Sequence, residues 1–264
     1  MKQFVLILFV LICLLALPAL AEPDHSMIKV SDETIYVYLP TKYYSAYTAH
    51  YNCLLTNTDS NKYYLGKIKV NLLDRSGRVV CELNPEGYFV LKPGETEATF
   101  AICHNVSSEQ REQIASYELV WDECYEITQD HYYEVALIDL PIDNLKSENV
   151  NDGVLYTCTI TNPLDIAINI EGIYGQLEYY DPTNGHLVFC RYYYDSEFKD
   201  SLKGAGLLPG YSLDNWKGYA VPDGLIEIIG TNYNLKLHVT CQYHNSWLVD
   251  YFAKEIDHYI GTKK

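Results

Sequence analysis

The chain has 264 residues, 48% of them hydrophobic, with 19 basic and 35 acidic side chains and a formal charge of −16 at pH 7. That surplus of acid repels nucleic-acid phosphates and anionic membrane surfaces, which excludes both as partners. The 26 Tyr against 2 Met, with many Val, Ile and Thr, suit half-buried pleated surfaces better than helices.

Residues 1–21 read as a signal peptide. Lys2 gives the charged start, Phe4 to Leu17 the apolar core, and Ala19-Leu20-Ala21 the small-residue cleavage site. Export, as a secreted or cell-envelope protein, is the expectation, with no membrane insertion after cleavage. The apolar run is short for a bilayer span, and no second long apolar run follows.

In chain order, Ile28 to Leu39 alternates as a first strand and ends at Pro40. Residues 47–57 form the next and stop in Asn57-Thr58-Asp59-Ser60-Asn61, a cluster of turn formers. Leu65 to Asp74 alternates with Ile68, Val70 and Leu72 on one face; Asp74-Arg75-Ser76-Gly77 is a turn, and Val79 to Leu83 returns as a hairpin. Pro93-Gly94 turns the chain into the strand Glu97 to Cys103. Ser107 with Gln110 makes a capping box for a helical turn over Ser107 to Ala115, and Tyr117 to Trp121 is a closing strand.

The same succession then repeats. Tyr51-Asn52-Cys53-Leu54-Leu55-Thr56-Asn57 returns as Tyr156-Thr157-Cys158-Thr159-Ile160-Thr161-Asn162. The alternating strand returns as Ile173 to Asp181, its turn as Asp181-Pro182-Thr183-Asn184-Gly185, the hairpin partner as Leu187 to Tyr194, and the Pro-Gly turn as Pro209-Gly210. Trp216 follows Gly210 at the distance at which Phe100 follows Gly94, and Leu235 to Tyr243 closes the copy. Two copies of one strand order imply two copies of one domain. The organisation expected is all-β, two tandem immunoglobulin-like β-sandwich domains over 22–126 and 127–264. The second opens with a strand at Tyr132 to Leu140 and a loop through Pro141 to Gly153. Leu248, Phe252, Ile256 and Tyr259 sit at helical spacing, so 247–260 reads as a helix packed on the second domain, with a strand as the alternative.

The order of elements resembles the small bacterial exported β-sandwich domains named FxLYD. The matching residues are Thr56-Asn57, Val70-Asn71-Leu72-Leu73-Asp74 with Gly77, and Pro93-Gly94 in the first copy. In the second they are Thr161-Asn162, Leu177-Glu178-Tyr179-Tyr180-Asp181 with Gly185, and Pro209-Gly210. The family's initial Phe is Val70 or Leu177 here, and Leu73 stands where Tyr is expected, so a generic immunoglobulin-like sandwich is the alternative. The resemblance implies a β-sandwich and no catalytic residues; its shared Asn, Asp, Gly and Pro serve turns.

Seven cysteines follow the signal peptide: Cys53, Cys81, Cys103, Cys124, Cys158, Cys190 and Cys241. In immunoglobulin-like sandwiches a disulfide joins the second strand to the penultimate one. By that logic Cys53 pairs with Cys124 and Cys158 with Cys241, Cys53 with Cys103 being the alternative; seven is odd, so at least one thiol is left over, and Cys81 and Cys190, at equivalent strand positions, are the ones expected to be free or unusually paired.

Chemistry is sparse. There is no His-Glu-x-x-His, no Cys-x-x-Cys, no Gly-x-Ser-x-Gly elbow and no phosphate-binding glycine loop, so neither a cofactor nor a metal is expected. Asp181 with Asn184 could hold calcium but reads first as a turn. Thr240-Cys241 resembles the strand end that carries the sortase nucleophile, without the downstream Arg such an enzyme needs. Three adjacent tyrosines in a strand cannot all face one core, so Tyr192, Tyr193 and Tyr194, with Trp247, are the candidate ligand-binding residues. The expectation is a non-enzymatic binding or interaction protein whose partner is a protein or a glycan. The alternatives are a carbohydrate-binding module using exposed tyrosines and a thiol enzyme using Cys241 or Cys190.

Overall fold

A computed structural model describes residues 25–40, 45–135, 137–150, 153–193, 201–230, 232–242 and 256–263. The signal-peptide segment, Tyr194 and Trp247 lie outside the described residues.

The chain is all-β, two sandwiches in tandem. In the first, β1 (Ile28–Tyr38), β2 (Tyr47–Asn57) and β6 (Thr96–Val106) form one antiparallel sheet in the order β1-β2-β6. Facing it, β3 (Tyr63–Leu73) pairs with β7 (Ser116–Ile127) on one side and with β4 (Val79–Pro85) and β5 (Phe89–Leu91) on the other. Strand β4 begins beside β3 and ends beside β6, so it crosses from one sheet to the other. Side chains alternate on β3, where Tyr64, Ile68, Val70 and Leu72 are buried, and this core takes in Tyr51, Cys53, Leu55 and Phe89 from the strands around it. Between β6 and β7 lies α1 (Ser108–Gln113). Its capping box is formed as the sequence predicts, Gln110 N donating to Ser107 Oγ and Ser107 N to Gln110 Oε1.

The second sandwich repeats the plan. One sheet is β9 (Ile142–Val150), β10 (Gly153–Thr161) and β15 (Tyr211–Pro222), with β18 (Thr262–Lys263) at its edge. The other runs β13-β12-β16-β8, formed by β13 (Leu187–Tyr193), β12 (Ile173–Tyr180), β16 (Asn234–Gln242) and β8 (Leu137–Asp139). A third, small sheet joins β11 (Ile168–Asn169), β14 (Ala205–Leu207) and β17 (His258–Ile260). Trp216, Tyr179, Phe189 and Ile160 lie in this core, which also buries Tyr38 from the end of β1. Helix α2 (Gln129–Val135) precedes β8, and α3 (Asp223–Ile229) follows β15.

The duplication extends to single hydrogen bonds. Asn57 Nδ2 donates to the Lys62 and Leu91 carbonyls, and its Oδ1 accepts from Asp59 N; Asn162 Nδ2 donates to the Ile166 and Leu207 carbonyls, and its Oδ1 accepts from Leu164 N. Gly94 N reaches the Asn57 carbonyl, and Gly210 N the Asn162 carbonyl. Both glycines sit at φ +72°, a left-handed turn that a Cβ would disfavour. Even the irregularities repeat: β1 bulges at Asp32 (φ +53°) and β9 at Asn144 (φ +55°).

Two expectations change. The strand read over Tyr132 to Leu140 is α2 followed by short β8. Thr128 caps the helix, its Oγ1 accepting from His131 N, and Tyr132 is buried against Tyr63 with ring centroids 5.0 Å apart. The loop read over Pro141 to Gly153 contains strand β9, whose alternation the bulge at Asn144 interrupts. Of the segment 247–260, residues 247–255 lie outside the described residues, and the described end carries the strand of the alternative reading, β17, paired in parallel with β14.

Candidate functional site

The site begins with an edge. Strand β13 ends its sheet, so one row of its backbone groups has no strand partner there, and the chain lays this row across the outward face of β1-β2 in the first sandwich. The Val188 carbonyl accepts from Tyr36 Oη (2.9 Å), Thr34 Oγ1 (3.2 Å) and Asn52 Nδ2 (3.3 Å). Cys190 N donates to Asn52 Oδ1 (3.3 Å), and His50 Nε2 meets the Cys190 carbonyl (2.9 Å). The carboxylate of Asp32, turned outward by the bulge, accepts from Leu187 N (3.0 Å) and holds His186 Nδ1 at 2.6 Å. Ala98, Phe100, Leu187 and Cys190 close apolar ground beside these bonds, and Gln176 Nε2 donates to the Ala98 carbonyl at 3.0 Å.

Covering makes β2 a strand buried on both faces. Tyr51, Cys53 and Leu55 fill the core, while His50 and Asn52, pointing the opposite way, are 0% exposed. His50 stacks on Phe100 (5.2 Å) and lies 4.6 Å from Phe189. Burial, with Arg191 nearby, pulls its ring down to about 3, so the imidazole is neutral and its Nε2 carries the hydrogen that the Cys190 carbonyl accepts. On β6, Glu97 meets the opposite shift: desolvation by burial, with Glu95 and Glu178 adding repulsion, raises its carboxyl to about 8 against a lowering hydrogen bond from Val90 N.

Among the described residues, the same face of the second sandwich is uncovered. By register with β1-β2 and β9-β10, Thr157 stands where Asn52 does, Lys146 where Thr34 does, and Asn144 where Asp32 does. Asn215, at φ +57°, adds a bulge to β15 opposite Cys158 and Ile160. Together Asn144, Lys146, Thr157, Thr159, Asp214 and Asn215, with Cys158 at the floor, line a depression of about 200 Å3. Thr159 Oγ1 donates to Asp214 Oδ1 (2.8 Å) and accepts from Asn144 Nδ2 (3.4 Å), so these side chains are set in place across three strands. This surface of alternating donors and acceptors can take a polar ligand. The one-residue bulge also turns Trp216 into its own core, whereas Phe100 faces the contact between sandwiches.

The residues singled out from the sequence are dispersed. Tyr192 packs edge-on against Phe100 (5.1 Å) and is partly buried within the contact between sandwiches. Tyr193 ends β13. Asp181 Oδ1 accepts from Thr183 N and Oγ1, and Asn184 Oδ1 from His186 N, so these residues build a turn. Neither expected disulfide is formed: Cys53, Cys158 and Cys241 are thiols. Cys53 and Cys124 share one core and Cys158 and Cys241 the other, the placement that the expectation rested on, without the bond. Burial pushes Cys53, Cys158 and Cys241 up to about 12 and Cys190 up as well, which disfavours the thiolate that a thiol enzyme would need there. Sequence reasoning missed the groove. The available signal was the replacement of Asn52 by Thr157 and of Leu54 by Thr159 within an otherwise repeated strand.

No family model matches the chain, and no curated protein does. Among solved structures it is similar to the N-terminal CBM22-1-CBM22-2 tandem domain of Xyn10C from Paenibacillus barcinonensis. The identity is 10% and the TM-score 0.16, over 84% of this chain and 88% of that one.

Proposed function

We propose that the chain is an exported, non-enzymatic binding protein of a bacterial cell envelope, and that it takes its ligand on the open β9-β10-β15 face of the second sandwich. One observation carries the reading. The first copy of this face grips a backbone edge with Asp32, Thr34, His50 and Asn52, and Asn144, Lys146 and Thr157, the register counterparts of Asp32, Thr34 and Asn52, line a depression in the second copy. A sheet face that binds carbonyls and amides in one copy is suited to an extended polypeptide in the other. The amino-terminal charged, apolar and small-residue pattern supports export.

A saccharide is the second reading. It is favoured by a lining of one ammonium, one carboxylate, two carboxamides and two hydroxyls, which offers both donors and acceptors to ring hydroxyls. Calorimetric titration of the full chain with extended peptides and with soluble glycans separates the two. Whichever class binds, K146A/D214A is expected to weaken it at least about tenfold, the loss of one or two charge-assisted hydrogen bonds. Unchanged affinity in that variant moves the site elsewhere.

A further inference from the structure

Two thiols that sequence reasoning left apart lie together. The end of β4 pairs with β6 through Asn84 opposite Ile102 and Pro85 opposite Ala101. Extending that antiparallel register sets Cys103 opposite Leu83, with Cys81 one diagonal step away on the same, core-facing side of the strands. The packing agrees: Cys81 and Leu83 belong to the first core, and Cys103 packs against it. Burial, with the neighbouring Cys103 thiol adding to it, pushes the Cys81 thiol up to about 12. The two differ in access. Cys81 is 8% exposed, whereas Cys103 is half-buried near the end of β6, ahead of exposed His104 and Asn105.

The geometry points to Cys81 and Cys103 as a dithiol–disulfide pair, a modification site that fastens the crossing strand β4 to β6 when the chain meets a disulfide oxidant. Cys103, the accessible thiol, attacks one sulfur of the oxidant after losing its proton; the oxidant's S–S bond breaks, and its leaving half departs as a thiolate that takes up a proton. Cys81, deprotonated in turn, attacks the Cys103 sulfur of the mixed disulfide, and the second half leaves in the same way. Two electrons and two protons pass from the cysteines to the oxidant, which becomes two thiols, and one bond is formed within the protein. Closure holds β4 at the point where it passes between sheets, beside the carbonyl of Val80 that Gln110 Nε2 grips from α1 (3.1 Å). Cys53, Cys158 and Cys241 are buried in the two cores, whereas Cys103 is half-buried, so the core thiols are not the first to meet the oxidant.

The test uses the full chain, reduced and then equilibrated in glutathione buffers from fully reduced to fully oxidised, quenched with N-ethylmaleimide and cut after glutamates, which separates the two cysteines at Glu82, Glu86, Glu95 and Glu97. The expected result is a peptide pair joined through Cys81 and Cys103, appearing before any other loss of alkylation, with a higher melting temperature in the oxidised sample. In C81S the intermediate should be trapped, with Cys103 carrying glutathione. A first bond between Cys53 and Cys124, or full alkylation of Cys81 and Cys103 in the most oxidising buffer, overturns the inference. Because it is read in the wild-type chain, the outcome does not depend on a variant's folding.

Discussion

The outward faces of β2 and β10 descend from one repeated strand and have come to opposite ends. On β2, His50 and Asn52 are sealed beneath β13 and bonded to its backbone, whereas on β10 Thr157 and Thr159 border an open depression. The inward faces did not diverge in this way, for Tyr51, Cys53 and Leu55 and their counterparts Tyr156, Cys158 and Ile160 fill equivalent cores. The difference teaches that a duplicated sandwich keeps what its own core requires and is free only where a second body does or does not press on it. One copy has spent its face on holding the molecule together, and the other copy's face is the one proposed to take a ligand.

The sharpest way to break this comparison is to substitute the same register position in both copies. Asn52→Leu strips partners from the Val188 carbonyl and Cys190 N inside the contact and is expected to cost about 2–4 kcal/mol in urea unfolding of the full chain. Thr157→Val, on the open face, is expected to stay within about 0.5 kcal/mol. Equal costs would mean that the two faces are not differently loaded.

Where the copies agree, so should the damage. Asn57→Ala and Asn162→Ala each remove a side chain that ties three loop backbone groups together, and each should cost about 1–3 kcal/mol. A large effect in one copy alone, seen by hydrogen exchange at the two loops, would show that the shared turn matters in only one.

The pH dependence probes two buried groups of the first sandwich, of which His50 lies in the contact. Glu97 holds its proton to about 8 against an ordinary 4.5, so the stability it contributes is complete below 4.5 and is lost as the pH rises through 8. His50 runs the other way: the neutral ring is fully accommodated above 6.5, and stability falls as the pH drops from 6.5 toward 3. Melting curves should therefore flatten on the alkaline side in E97Q and on the acid side in H50Q. A profile unchanged in both variants would place neither group in a desolvated position.

The smallest effect is expected at the bulge that separates Trp216 from Phe100. Asn215→Gly, which accepts φ +57° freely, should change stability by only a few tenths of a kcal/mol, whereas Asn215→Val should cost about 1–2 kcal/mol and shift Trp216 emission as the strand straightens.

Much of this protein was legible along the chain because it is local or repeated. The strand read at 47–57 and the Asp74 and Asp181 turns are where they were expected, as are the capping box of Ser107 and Gln110 and the twin Pro-Gly corners. Each depends on residues a few positions apart. The misreadings share a cause: Tyr132 to Leu140 was taken for a strand because Tyr, Val and Ile suit one, and only the Thr128 cap and the packing of Tyr132 on Tyr63 make it a helix. Tyr192 was legible as a residue that must be covered or exposed, and the fold chose covered.

By itself the sequence determined that there are two sandwiches, which side chains alternate toward each core, and where the turns fall, since strand period and turn chemistry act over a few residues. Only the tertiary structure decided that the outward face of β2 is buried while that of β10 is open. It also decided that Cys81 meets Cys103, and that a one-residue bulge sends Trp216 inward while Phe100 faces out. These depend on strands brought together from distant parts of the chain, and a shift of a single residue in register exchanges one face for the other.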